Sequence, residues 1–339
     1  MKRGFSLVEL MIALLIGSIL MAGVFTVLVG AKQTYRVQDE LSRTQENARF
    51  AAEFIARDLR MAGFRGCRPS LPVTPMINSA TDWRYDLTTP IQGFQGVSSY
   101  PPEFDDSASV PAFSSANHDP DALVVVRVDA DNTRGINNES AGLLTLNATH
   151  DYPLGQVMVA STCDAMTVFQ VSSNAAGTTA LAHDVSGSMT PGNCANRLGG
   201  DCASPSPGGF DQGGVVMPVI SRAYYLATGL GGVPGLYRVG VGPSGSVTRD
   251  ELVPGIEDMR IWFGQDSDGD GVVNRWRRAG DAGLDFSEVT SARVEMLLRT
   301  LQAPDGEVKD YAFAGTTVTP SDGHVRRSFV TTINLRNRS

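Results

Sequence analysis

Histidine and cysteine are scarce, with four of each in 339 residues. No two cysteines form a C-x-x-C pair and the histidines are scattered, so the compact nitrogen and sulfur sets that zinc requires are not offered. The G-x-S-x-G, P-loop and H-E-x-x-H signatures are also missing. One G-x-G-x-x-G string runs from Gly240 to Gly245, but Pro243 sits inside it and Ser246-Val247-Thr248 follows without a helix pattern. Without a helix N-terminus there is nothing to receive phosphate. Basic excess is lacking as well: the formal charge is -8, which argues against a general surface for nucleic acid. His118-Asp119 and His183-Asp184 repeat a pair with no nucleophile signature beside either, and they read as solvent-exposed loop histidines. These absences leave little for an enzyme to work with.

What the sequence does have begins at once. Phe5 to Ala31 contains a single charged residue, Glu9. About 20 apolar residues in a helix cross a bilayer core, so this stretch is long enough to span. Lys2 and Arg3 precede it and stay cytoplasmic, which sends the C-terminal bulk outward. A secretory signal peptide would have a shorter apolar core and a small-residue cleavage site after it. A plain signal anchor leaves Glu9 unexplained, because a carboxylate near the start of a membrane helix is costly without a partner.

Tyr35 to Ala62 contains neither glycine nor proline. Leu41, Ala48, Ala52, Ile55, Leu59 and Ala62 fall on one helical stripe, with Arg43, Glu46, Arg49, Glu53, Arg57 and Asp58 mostly off it. Gly63 and Gly66 end the pattern. One helix therefore runs from about Phe5 to Ala62, roughly 85 Å at the standard rise. Beyond it, residues 68–120 and 172–214 read as irregular. Strands are expected at Ala122–Val128, near 156–160, at 166–171, at 222–227 and 235–241 as a hairpin, and at 256–263, 292–301 and 328–335. The fold class is α+β: a long N-terminal helix, membrane-spanning in its first half, packed on a β-rich head of antiparallel sheet.

The run Lys2-Arg3-Gly4-Phe5-Ser6-Leu7-Val8-Glu9-Leu10 resembles the leader junction of type IV pilins and pseudopilins. The resemblance implies cleavage after Gly4 by a prepilin peptidase and methylation of the new N-terminal Phe5. It also supplies the partner for Glu9, the positive amine of Phe5 in a neighbouring subunit; two charges in low dielectric are tolerated as a pair. Gln45 to Phe50, Arg60-Met61-Ala62-Gly63-Phe64 with Gly66-Cys67, Val253 to Gly264, and Ser328 to Asn337 resemble minor pilins of the PilW family. On that footing residues 1–4 are a leader, 5–31 the transmembrane and polymerisation helix, 32–66 its amphipathic continuation, and 67–339 a periplasmic head. The subunit would sit in the inner membrane and then in the pilus, at the tip with other minor pilins. It would help start assembly and contact major pilin through the helix, with a tip adhesin as a further candidate partner. A J-type pseudopilin of type II secretion is the alternative within the superfamily. A membrane-anchored periplasmic binding protein or adhesin is the alternative outside it.

An even cysteine count in a chain that reads as exported favours disulfides. Cys194 and Cys202 are close in sequence and share a loop, so pairing them closes a short loop; that leaves Cys67 for Cys163. Asp266, Asp268 and Asp270 stand at positions 1, 3 and 5 of a calcium-type loop, with Gly271 at position 6 and Asn274 at position 9. Position 12 is Arg277 where an EF-hand needs glutamate, so two readings stand. Either calcium binds a looser loop completed by the Val272 carbonyl, waters or another segment, or Arg275, Arg277 and Arg278 neutralise an acidic turn. Calcium is the one candidate cofactor.

Overall fold

The computed structural model describes residues 6–66, 71–104, 118–173, 175–185, 189–211, 213–229, 232–303 and 309–337. One helix, α1, runs unbroken over Leu7–Met61, 55 residues. Ser6 caps it: its hydroxyl accepts from the Glu9 N–H while the Glu9 carboxylate accepts from the Ser6 N–H, each at 3.2 Å. The helix stops where Ala62 turns extended (φ -57, ψ 137) and Gly63 takes a positive φ of 69, a conformation that glycine adopts without cost.

Strands β1 (Val73–Pro75), β2 (Ile91–Phe94) and β3 (Ala122–Val128) follow, then β4 (Arg134–Ser140), β5 (Leu143–His150), β6 (Val157–Ser161), β7 (Met166–Gln170) and β8 (Thr178–Ala182). The ribbon of β9 (Gly199–Gly200) and β10 (Pro205–Ser206) leads to β11 (Val215–Thr228), then β12 (Pro234–Val241) and β13 (Val247–Pro254). The last third holds β14 (Ile256–Gln265), β15 (Arg275–Arg277), β16 (Val289–Arg299), the hairpin β17 (Tyr311–Phe313) and β18 (Thr316–Val318), and β19 (Arg326–Asn334).

Two sheets organise the head. The 14-residue β11 is shared along its length: Val215–Pro218 pairs with β6, and Arg222–Thr228 pairs with β12, with β3 on its other side. The second sheet has the order β15-β14-β16-β19. Pairing is antiparallel except between β1 and β7. Alternation along β14 and β16 buries Met259, Ile261, Phe263, Val294, Met296 and Leu298, none more than 1% exposed, in one core with Ala48, Ile55 and Leu59 of α1. Leu297 points to the other face and is covered by Tyr311 and Phe313 of the β17–β18 hairpin. Gly93 of β2 meets the Phe263 ring so closely that a Cβ there would lie 2.5 Å from it, which explains a glycine in a strand. A separate core lies among β4 to β8, with Leu144, Leu146, Phe169 and Phe210 fully buried or nearly so.

Every expected strand is present. The regions read as irregular also contain β1, β2, β8, β9 and β10, because these strands are short or built of polar and glycine residues whose pairing is set by distant partners. The histidine reading fails on both counts. His183 is 0% exposed, and the His118 Nδ1 lies 3.1 Å from the carboxylate of buried Asp258.

Candidate functional site

Among the described residues, the first half of α1 packs against nothing in the head. Its large apolar side chains from Leu7 to Leu28 are each more than half exposed, and the helix is long and apolar enough to cross a membrane. Hydroxyls on such a helix must be satisfied from within. Ser18 donates to the Leu15 carbonyl at 2.8 Å, Thr26 to Ala22 and Thr34 to Gly30 at 2.9 Å. What remains is an apolar rod whose one carboxylate, Glu9, lies beside its N-terminus.

The second half is locked to the head by more than its apolar stripe. Asp58 is 1% exposed. Both its oxygens lie 3.0 Å from the Arg222 guanidinium of β11, Arg127 of β3 approaches at 3.3 Å, and the Tyr224 hydroxyl donates to it as well. One carboxylate thus joins the helix to two strands of the larger sheet. Burial and the negative Asp58 together push the Tyr224 hydroxyl above its ordinary range, so it remains a donor. Other contacts run along the helix. Glu40 accepts from the N–H groups of Leu301 and Gln302, and Asn47 donates to the Pro254 carbonyl at 3.1 Å. Asn337, almost at the C-terminus, donates to the carbonyls of Arg60 and Ala62, which the helix end leaves without partners. Charge pattern on the stripe had set Asp58 aside as a surface residue. Only the placement of Arg127 and Arg222 on neighbouring strands makes its burial affordable.

Residues 223–337 match the family model of the type IV pilus-assembly protein W, and residues 1–25 match the prokaryotic N-terminal methylation motif. The chain is a type IV pilus minor pilin of the PilW family. It is anchored in the inner membrane, takes part in pilus assembly and is built into the pilus. No curated protein and no solved structure matches it. The PilW match starts inside β11 and ends at Asn337, so it covers the second sheet and the residues that hold the helix end. The lobe of β4 to β8 lies outside both matches. A pilin of this family is a structural subunit.

Cys194 and Cys202 form a disulfide as expected. Cys163 is also disulfide-bonded, while Cys67, its expected partner, lies outside the described residues. Gly4 and Phe5 lie outside them too.

The acidic loop joins β14 to β15. Asp266, Asp268 and Asp270 each offer an oxygen, and these oxygens lie within 4.8 Å of one another. The two oxygens of Asp266 accept from the N–H groups of Gly269 and Gly271, each at 2.8 Å. Desolvation opposes the charge of Asp266, but those N–H groups outweigh it and hold the carboxyl below its usual range. Asn274 donates to Asp268 at 3.2 Å, and the Val272 N–H donates to Asp270 at 2.8 Å. Two of the three nearby arginines are occupied elsewhere: Arg277 donates to the Ala282 carbonyl and Arg278 pairs with buried Asp121.

Proposed function

We propose that this minor pilin acts at the start of assembly, at the pilus tip, as a structural subunit and not as an enzyme. The observation that carries the reading is the division of α1: an apolar half free of the head with Glu9 at its start, and a half fastened to the head along its length. Such a subunit can leave the bilayer only by exchanging lipid for other apolar helices, which is what a fibre of related pilins offers. Cleavage after Gly4 would place the new amine of Phe5 near the Glu9 carboxylate of a neighbour, and their pairing would remove the cost of two unpaired charges in low dielectric. Other minor pilins and major pilin are the partners through the helix, and an adhesin is a candidate at the head.

Two measurements test this. Intact mass of membrane-extracted protein is expected to show loss of Met1 to Gly4 and gain of one methyl; a chain starting beyond residue 20 would refute the processing. Glu9→Ala is expected to insert into the membrane normally, since the span becomes more apolar, yet to fall at least tenfold in sheared pili. Wild-type incorporation would remove the role given to Glu9.

A second reading concerns the acidic loop, where three carboxylates converge and Arg277 and Arg278 bond elsewhere. The donors are hard oxygens, which fit calcium better than a softer metal. Asp266, Asp268, Asp270 and Asn274 would hold the ion, whose part is to order the loop. Millimolar calcium is expected to raise the melting temperature of the detergent-solubilised chain by mass action, and magnesium to do so much less. The double variant Asp268→Ala, Asp270→Ala should show no rise. Equal melting temperatures with and without calcium would leave the loop as a turn held by its own N–H groups.

A further inference from the structure

The two edges of the second sheet differ. β15, at one end, has three residues. β19, at the other, has nine, and it pairs with β16 in unbroken register from Arg326 opposite Arg299 to Asn334 opposite Ser291. No proline interrupts it and no bulge turns it away. Proteins usually shorten, bend or cover such an edge, because its outward N–H and C=O groups are a template for another strand. Among the described residues no strand pairs with the far side of β19, and Val330 in its middle is 53% exposed.

A groove of about 530 Å³ opens where this edge meets α1. Ala48, Leu298 and Phe329 supply its apolar lining, and Arg49 and Arg327 stand beside them, both exposed. Neither arginine pairs with an acid among the described residues, although the chain as a whole carries an acidic excess. The groove therefore combines three features: a hydrogen-bonding edge with no described strand on it, an apolar floor and two arginines that form no described ion pair.

We propose that β19 is a docking edge for an extended acidic segment of a different pilin subunit, which adds as a fifth strand beside it with its carboxylates at Arg49 and Arg327. Backbone hydrogen bonds would supply affinity and the arginines would select the partner. The proposal rests on the reading of the chain as a subunit assembled among other pilins.

The experiment uses full-length protein in piliated cells, with a photo-crosslinking residue at position 330 and, separately, at position 20 on the apolar half of α1. Position 20 reports assembly through the helix. At position 330 the expected product is a crosslink to another pilin, mapped to a segment rich in Asp and Glu. Arg49→Glu with Arg327→Glu should cut the yield at 330, relative to that at 20, by tenfold or more. Normal crosslinks at 20 with none at 330 would overturn the proposal. So would crosslinks at 330 only to lipid or to a second copy of this chain, or a relative yield that survives the charge reversal. Loss of pilin crosslinks at both positions would count against the assembly reading itself, and the docking edge would fall with it.

Discussion

Asp58→Ala is expected to cost about 3–5 kcal/mol of stability, the range for breaking a buried ion pair by removing one partner. The carboxylate is the only acid that the described contacts give to Arg127 and Arg222, and it also receives the Tyr224 hydroxyl. Without it two guanidinium groups on neighbouring strands, 13% and 29% exposed, are left without that counter-charge. The effect should reach beyond stability, because Asp58 is the one charged tie among the described contacts between α1 and strands β3 and β11. A head that detaches from its helix cannot transmit load along a fibre. Urea unfolding of the detergent-solubilised chain, followed by near-UV circular dichroism, measures the loss. Asp58→Asn retains an acceptor for Tyr224 and should fall between wild type and alanine. A loss below about 1 kcal/mol for the alanine form would show that the apolar stripe alone holds the helix.

The second large effect is a loss of stability in mild acid through His183. Its ring is fully buried, and neither nitrogen has a hydrogen-bond partner. Burial drives its pKa down to about 4, against the opposing pull of Glu139 and Asp184. Neutral imidazole is thus the native form, while in the unfolded chain it protonates near 6.5. Between those two values the unfolded state binds the extra proton, so stability is complete above about 6.5 and declines as pH falls towards 4. The full contribution is about 3 kcal/mol, from 1.36 kcal/mol per unit of pKa difference. His183→Leu keeps the contact with Phe169, whose ring lies 5.7 Å away, and removes the titration. Between pH 7.5 and pH 4.5 the unfolding free energy should fall by about 2–3 kcal/mol more for wild type than for the variant, whose acid arm is flatter. If the leucine form loses as much stability as wild type over that interval, His183 is not the group responsible.

Both predictions concern residues whose importance was not legible in the sequence. Asp58 looked like one more charge on the outer face of a helix, and His183 like a loop histidine. Helical periodicity has a resolution of about 100° per residue, so a position flanking an apolar stripe can face either the core or solvent. Which occurs depends on whether a distant strand presents a counter-charge. The β4–β5 hairpin and β8 were overlooked for a related reason. Arg134–Ser140 is mostly polar and Thr178–Ala182 is half exposed, so alternation is weak and their pairing with β5 decides their state.

The sequence by itself determined the function class. A 27-residue apolar segment with one carboxylate, preceded by two basic residues, has few physical meanings, and its junction motif narrows them to one. It also determined the principal strands of the second sheet, since period-two patterning is local and the buried face is written in consecutive residues. The Cys194–Cys202 pairing was within reach because both lie in one short loop. Tertiary structure alone decided what fastens the helix to the head, which histidines are buried, where Arg277 and Arg278 go, and that no described strand pairs with the outer side of β19. Each of these depends on residues far apart in the chain meeting in space, and pairing of that kind leaves no period for a sequence to display.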